Sequence, residues 1–495
     1  MSNSAIPCDT TQRMINTEQP AARRDWFIAA VFFLAGLSLF APLRTRYAYL
    51  WDSVEFAEAI RDYDVGLSQP HPPGYFLYVM LGRAVNLVVG DPHASLVWLS
   101  VVAGAALVAV LYLLGTELFG RRAGGIAGGL ALTSPLVWFY SCVALTYLVD
   151  AFLVCVLVWW CWRCRQRGGN RWDAVGLGLL LGIISGVRQQ SLFGLAPLVG
   201  LTLWSFPRQR LMNTGLALAT CALVVGIWVV SMLHLTGGWE VYSGGLRQIA
   251  QFHAHKTFAR GGIQALTWNV FFAALYCLNA LFLAALAVPA AGRMPGTRVV
   301  LWWIVPVFLL AVAVGYTEAP GHVFTYLPGL ILLAGAGLAR WRQWMPALVI
   351  GANLFVFLAW PPAWDGALWG TIPTARGLRG HDELIAKTVA LVRAQYDPAE
   401  TILLHQDGDL FFGLRHFQMH LPEFANYRID PDEAMIAPPG KPLLRTLAGR
   451  MEFVAAVPAD GWRVALHVVP PGREATAING QEVAGSDGRL FEERR

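Results

Sequence analysis

The sequence predicts a polytopic α-helical membrane protein of about eleven transmembrane helices, followed by a small soluble C-terminal domain of α/β or α+β type. Three observations carry this. The chain of 495 residues is 56% hydrophobic and only 14% charged, with a mean hydropathy of +0.48, whereas a water-soluble domain carries about 25% charged residues. The charge is uneven: residues 94–160 are nearly free of it, while the last 120 or so are rich in it. Arginine pairs and clusters also recur at alternate connections between the apolar runs.

The apolar runs predict spans at 26–43, 94–116, 123–140, 143–162, 174–190, 192–206, 213–234, 268–290, 299–315, 323–339 and 344–360. Residues 1–25 then form a cytoplasmic N-terminal segment, 26–360 the membrane domain and 376–495 the soluble domain. Arg23 and Arg24 precede the first span and no small-residue cleavage site follows it, so it reads as an anchor. Arg121/Arg122, Arg163/Arg165/Arg167/Arg171, Arg208/Arg210, Arg293/Arg298 and Arg340/Arg342 fall on the same side as Arg23/Arg24. Excess positive charge marks the cytoplasmic side of a membrane. The loops 44–92 and 235–267, the short connection 316–322 and the C-terminus are therefore expected on the opposite, periplasmic side of a bacterial inner membrane.

Between the first two spans, residues 74–90 predict an apolar helix in or near the interface. In the second outer loop, Leu246, Ile249 and Phe252 share one face of a helix whose other face carries Arg247, Gln251, His255 and Lys256, the pattern of an interfacial amphipathic helix. In the tail, Asp382–Gln395 and Phe411–Met419 predict helices. Segments 401–405, 424–429, 452–458 and 462–469 predict strands.

The seven cysteines (8, 142, 155, 161, 164, 221 and 277) mostly lie in apolar runs and none lies in the tail. That placement argues for buried thiols over a disulfide framework, and Cys161-Trp-Arg-Cys164 has no second pair to complete a metal site. The net charge of +5 rests on arginine, with lysine only at 256, 387 and 441. It gives no reason to expect a nucleic-acid partner; membrane lipids are the expected surroundings.

The candidate chemistry clusters in the first outer loop. Asp52 and Glu55 are three apart and share a helix face. Asp52 follows the aromatic run Tyr47-Ala-Tyr-Leu-Trp51, suited to a membrane interface. A carboxylate partly desolvated there gains basicity, which suits a general base. The D-x-x-E pair can alternatively hold a divalent cation. Glu58 and Asp62 read as a solvated acidic face. His71-Pro72-Pro73-Gly74 is a rigid turn: the prolines restrict the backbone and aim His71, and Gly74 permits positive φ. Asp150 and Arg188 lie inside apolar runs, where charges are paired or functional; they can neutralise each other, or Arg188 can bind a lipid phosphate. Arg247, Lys256, Arg260, His253 and His255 make the second loop basic and attractive to phosphate. His322 opens a span on the outer face, where it can line the same cavity.

This arrangement resembles the GT-C superfamily of integral-membrane glycosyltransferases, in particular its protein O-mannosyltransferase-like and aminoarabinose-transferase-like (glycosyltransferase family 39-like) members. The motifs are Asp52-Ser-Val-Glu55, with Val54 where some relatives have glycine, and His71-Pro-Pro-Gly74, where others carry Lys-Pro-Pro. Thr146-Tyr-Leu-Val-Asp150, Gly182-Ile-Ile-Ser-Gly-Val-Arg188 and Gly321-His-Val-Phe-Thr-Tyr-Leu-Pro328 are similar to further segments of these enzymes, and Leu414-Arg-His-Phe-Gln-Met-His-Leu-Pro-Glu-Phe424 more loosely to an R-x-x-x-Y-x-L-P-E-Y run. The resemblance implies a polyprenyl-phosphate-linked sugar donor, an acceptor (lipid, glycan or protein) approaching from the periplasmic side, and an inverting displacement. It makes Asp52 the general base and places His71 and Arg188 on the donor phosphate. It leaves metal dependence open. A transporter or flippase would show internal repeats and polar residues at the midplane. The sequence has no such repeat, and its acids cluster outside the membrane; a non-catalytic assembly protein is the other alternative.

Overall fold

The computed structural model describes residues 22–292, 294–315, 319–359, 374–405, 411–429, 441, 443–448, 450–471 and 480–495. The chain begins with α1 (Arg23–Phe40) and the short helices α2 (Trp51–Arg61) and α3 (Phe76–Val89). The bundle continues with α4 (Pro92–Phe119), α5 (Arg121–Thr133), α6 (Pro135–Ser141), α7 (Tyr147–Arg167), α8 (Arg171–Val187), α9 (Gln189–Trp204) and α10 (Arg210–Thr236). Then come α11 (Trp239–Phe252), α12 (Phe258–Leu281), α13 (Pro295–Ala313), α14 (Leu327–Leu338) and α15 (Met345–Ala359). The tail holds α16 (Ala375–Gln395), β1 (Thr401–His405), α17 (Leu414–His420), β2 (Ala425–Arg428), β3 (Leu443–Leu447), β4 (Arg450–Val454), β5 (Val464–Val468), β6 (Gln481–Glu482) and β7 (Leu490–Arg494).

Six stretches among the described residues are long and apolar enough to cross a membrane: Arg23–Leu43, Pro92–Phe119, Tyr147–Arg167, Arg210–Thr236, Phe258–Ala291 and Pro295–Ala313. The other expected spans are helical over shorter lengths, so the expected count of about eleven full spans is not reproduced. The run 123–140 shows why. Pro135 disfavours helical geometry at the residue before it, Ser134 turns extended (φ −60°, ψ 124°), and the run divides into α5 and α6.

Helices α4 and α7 form the centre, with 72% and 67% of their most apolar stretches buried; for α1 and α10 the share is 22%, which leaves apolar faces for lipid. Asp91 starts α4 by accepting from the Ala94 amide at 2.7 Å, with Pro92 in the first turn, where its missing N–H costs nothing. Close approach of α4 and α5 depends on Gly124, where a Cβ would stand 2.6 Å from the Tyr112 carbonyl oxygen.

The arginine-rich connections gather at one end of this bundle. Arg121 pairs with Asp25 (2.7 Å) and Arg163 with Glu117 (2.6 Å), Arg167 with Asp173, and Arg122 donates to the Trp341 carbonyl. At the opposite end lie α2, α3, the start of α7, the end of α8 and the 3-10 turn Pro320–Thr325. The six described cysteines are all unpaired.

The tail is a seven-stranded mixed sheet in the order β4-β3-β2-β1-β5-β7-β6. β1 runs parallel to β2 and β5, and the remaining pairs are antiparallel. β1 is buried along its whole length, as befits a central strand covered on both faces. Leu403 points to a core with Ile385, Val392, Phe417 and Leu466, while Ile402 and Leu404 point to the opposite face with Tyr427 and Ala465. The expected helix 411–419 is confined to Leu414–His420; β3, β6 and β7 are strands that local pattern did not reveal.

The tail docks on the segment leading into α2. Asp382 of α16 accepts from the amides of Arg46 (2.9 Å) and Tyr47 (3.1 Å). The Tyr47 ring meets His420 at 4.9 Å, and the Tyr49 ring meets His381 at 4.6 Å.

Candidate active site

Helix α2 begins at Trp51 and carries Asp52 and Glu55 on one face, turned towards the 69–74 loop. In that loop Gly74 adopts φ +103°, which turns the chain into α3, and the Tyr63 hydroxyl donates to the Gly74 carbonyl at 2.6 Å. The Pro73 carbonyl accepts from Gln189 Nε2 and from the Tyr242 hydroxyl, both at 3.2 Å. The turn is thus tied to α9 and α11, and His71 is aimed at α2.

His71 Nδ1 lies 2.5 Å from Glu55 Oε2, which also accepts from the His71 amide at 3.2 Å. Glu55 Oε1 accepts from Trp51 Nε1 at 2.8 Å. Asp52 Oδ1 stands 3.9 Å from His71 Nδ1. Its carboxylate has no hydrogen-bond donor among the described residues, and its side chain keeps 42% exposure against 1% for Glu55. Two carboxylates of one helix therefore have different jobs open to them: one is sequestered by an imidazole and an indole, the other faces the open side.

The electrostatics divide them in the same way. Although the Asp52 side chain is partly accessible, the protein packed around it strips water from its charge and raises the carboxyl above its usual range; the Glu55 charge adds to this, while His71 and Arg188 pull it back without cancelling the rise. Burial also acts to raise Glu55, but the charge and hydrogen bond of His71 and the charge of Arg415 outweigh it and hold that carboxyl low. For His71, burial alone would lower the imidazole; the Asp52 and Glu55 carboxylates prevail and raise it to about 9. At neutral pH the site is an imidazolium clamped by Glu55, with Asp52 beside it.

One nitrogen and two carboxylates, with ligand atoms within 4.8 Å of one another, also form the one cluster of metal-ligand type among the described residues. Nδ1 of His71 bonds to Glu55 Oε2 as an ion pair; the same nitrogen, when neutral, and the two carboxylates are donors of the kind that hold a divalent cation.

Arg188, at the junction of α8 and α9, is 3% exposed. It donates to Thr146 Oγ1 at 3.3 Å and its guanidinium lies 4.5 Å from the centre of the Tyr147 ring. Its Nε has no hydrogen-bond partner among the described residues. The charge of Arg188 is felt at both Asp52 and His71. Of the two readings open to Asp150 and Arg188, a direct ion pair is not formed: Asp150 is fully buried and accepts from Ser191 Oγ (2.8 Å) and Thr325 Oγ1 (3.0 Å). The charges of the two groups still act on each other across the gap. His322 packs its ring 5.9 Å from Tyr147, sharing that ring with Arg188.

Arg247 is exposed on α11, and Lys256 lies over the Phe252 ring at 5.9 Å; neither joins the Glu55–His71 network. Glu58, expected on a solvated face, is 4% exposed and pairs with Arg61 at 2.9 Å, because α3 and the tail cover that side of α2; Asp62 is exposed as expected. Sequence reasoning missed Arg415. It lies in the Leu414–Phe424 motif, yet nothing in its local pattern sets it apart from other tail arginines. It is 1% exposed, with Nη2 3.6 Å from Glu55 Oε1. Trp51 was noticed only as part of an aromatic run; the guanidinium carbons of Arg415 and Arg428 stand 5.4 Å and 6.0 Å from its ring centre.

Residues 52–213 match the family model of the protein O-mannosyl-transferase TMEM260 N-terminal domain. Among solved structures, the chain is similar to ArnT from Cupriavidus metallidurans bound to undecaprenyl phosphate, with a TM-score of 0.50 and 14% identity over 81% of this chain and 85% of that one. The same protein in the apo state gives 0.48 and 14% over 80% and 83%. The Archaeoglobus fulgidus oligosaccharyltransferase in complex with Zn and sulfate gives 0.46 and 14% over 81% and 62%. No curated protein matches the chain. At such identities the likeness is one of fold: the chain shares the fold of the ArnT structure.

Proposed function

We propose that this protein is a membrane glycosyltransferase that moves a sugar from a polyprenyl-phosphate donor to an acceptor reaching the site from the periplasmic side of a bacterial inner membrane. The family match over 52–213 begins at Asp52 itself and supports the transferase class. The ArnT structure of similar fold holds undecaprenyl phosphate, which supports a polyprenyl donor.

One observation carries the reading. Asp52 is the member of the cluster with no hydrogen-bond donor, it is open to the exterior, and two buried cations, His71 and Arg188, act on it. An acceptor hydroxyl placed against Asp52 passes its proton to the carboxylate as its oxygen bonds to the anomeric carbon. The bond from that carbon to the lipid phosphate oxygen breaks, and the phosphate leaves with the electron pair. Attack opposite the leaving group inverts the anomeric centre. The His71 imidazolium and Arg188, whose Nε has no partner among the described residues, stabilise the charge that develops on the phosphate. The raised Asp52 carboxyl is a stronger base than an ordinary aspartate.

Asp52→Asn keeps the shape and removes the base. Purified protein given a polyprenyl-phosphate sugar and a hydroxyl acceptor should lose turnover by roughly 10²- to 10⁴-fold in this variant. Full turnover by correctly folded Asp52→Asn protein overturns the assignment.

A further inference from the structure

We propose that Arg415, supplied by the C-terminal domain, is a positioning residue of this site: it fixes the Glu55 carboxylate so that its second oxygen is presented to His71. The inference rests on the glycosyltransferase reading and adds a part of the chain that the reading does not use.

The two oxygens of Glu55 are divided between two regions of the molecule. Oε2 takes both bonds from His71. Oε1 takes the Trp51 indole and faces Arg415. A carboxylate is a rigid plane, so the Trp51 bond on Oε1, together with the pull of the Arg415 charge 3.6 Å from it, sets where Oε2 points. Arg415 is itself held. Its Nη2 donates to the carbonyls of Leu67 (3.2 Å) and Ser68 (3.4 Å), and its Nη1 donates to Gln418 Oε1 (3.0 Å). The same guanidinium therefore braces the helix that carries Asp52 and Glu55 and the loop that leads to His71.

Docking alone is a poor account of this residue. The tail is already attached through Asp382 on the amides of Arg46 and Tyr47, and through the ring contacts of Tyr47 and Tyr49. A buried guanidinium costs several kcal/mol to desolvate, and apolar residues of similar volume often replace buried ion pairs at no loss of stability. Here the cost is only partly offset: Nε has no partner among the described residues, and the nearest Glu55 oxygen, at 3.6 Å, is beyond good hydrogen-bond length. What the charge does provide is a fixed, ionised Glu55, just as supporting partners orient the ligands of other catalytic centres.

The test is a double-mutant cycle on the full chain in lipid nanodiscs, with Arg415→Met, Arg415→Lys, Glu55→Gln and the Arg415→Met/Glu55→Gln pair. Arg415→Met is expected to lower kcat by roughly 10- to 100-fold with the donor KM little changed, and Arg415→Lys to recover part of the loss. If Arg415 acts through Glu55, its removal in the Glu55→Gln background costs almost nothing further. Additive losses, or an Arg415→Met protein with full kcat, overturn the proposal and leave the transferase reading standing. Hydrogen exchange of peptides covering 65–75 is followed in parallel and needs no turnover. Positioning predicts faster exchange there in Arg415→Met and intermediate exchange in Arg415→Lys. If wild-type protein transfers no sugar, the transferase reading fails, and unchanged exchange in these variants then sinks the positioning role separately. Should Arg415→Met not fold, Arg415→Lys alone and combined with Glu55→Gln closes the same cycle.

Discussion

On His71, burial and neighbouring charge act in opposite directions on a single side chain. Burial favours a neutral imidazole, and two carboxylates on one helix face override it and hold the group up at about 9. A histidine raised above its ordinary value near 6.5 adds stability that is complete below pH 6.5 and is lost as pH climbs from there through 9. The same sign holds for chemistry. The imidazolium is fully present at pH 7, so kcat/KM should fall on the alkaline side with a midpoint near 9, and the fall should vanish in His71→Asn. On the acid side, the raised Asp52 carboxyl predicts a limb above the usual aspartate range. A profile that stays flat beyond pH 10 contradicts the imidazolium's part. At this scale the sequence was partly legible. Asp52, Glu55 and His71 could be singled out because they lie within one short loop. Glu58 was misjudged because helical periodicity shows which residues share a face and is silent on what covers it.

Between elements, the site depends on a close crossing that side-chain chemistry alone would not suggest. Gly321, in the turn Pro320–Thr325, lies so near the start of α7 that a Cβ would fall 2.2 Å from the Tyr147 ring. That ring carries Arg188 on one side and meets His322 on another. Gly321→Ala must displace Tyr147 and, with it, the guanidinium. Overpacking of this kind costs about 1–3 kcal/mol of stability, and a displacement near 1 Å can cost on the order of 10²-fold in rate. Comparing the variant's melting temperature with its turnover separates the two effects; unchanged values for both would show that the turn accommodates a methyl group freely. The Gly321–Pro328 motif pointed to this segment, but its closeness to Tyr147 is a property of two helices packed together. The expected span 123–140 is divided into α5 and α6 for a local reason, a proline within the run, and its hydropathy hid that break.

Across the molecule, arginine connections gather at one end of the bundle and the Asp52 cluster lies at the other, beside the tail. Since an excess of basic residues marks the cytoplasmic side, a reporter active only in the cytoplasm should stay silent when fused after Arg495. A strong signal there would place the site on the wrong side for an acceptor arriving from the periplasm. The tail lies beside the Asp52 cluster, and its Arg415 reaches the same carboxylate that His71 engages from the membrane domain.

The class of molecule was written in the chain: long uncharged runs allow only a membrane-embedded helical fold, and arginine spacing orders its connections, because both signals are local and additive. So was the first outer loop, whose acids and His-Pro-Pro-Gly turn are neighbours in sequence. Packing alone decided which buried charges meet. Asp150 took its hydrogen bonds from Ser191 and Thr325 and formed no direct ion pair with Arg188, and Arg415 came across from a distant helix to Glu55. A buried charge is settled by whichever donor the folded chain brings within about 3–4 Å, and that distance belongs to the whole structure and to no segment of it.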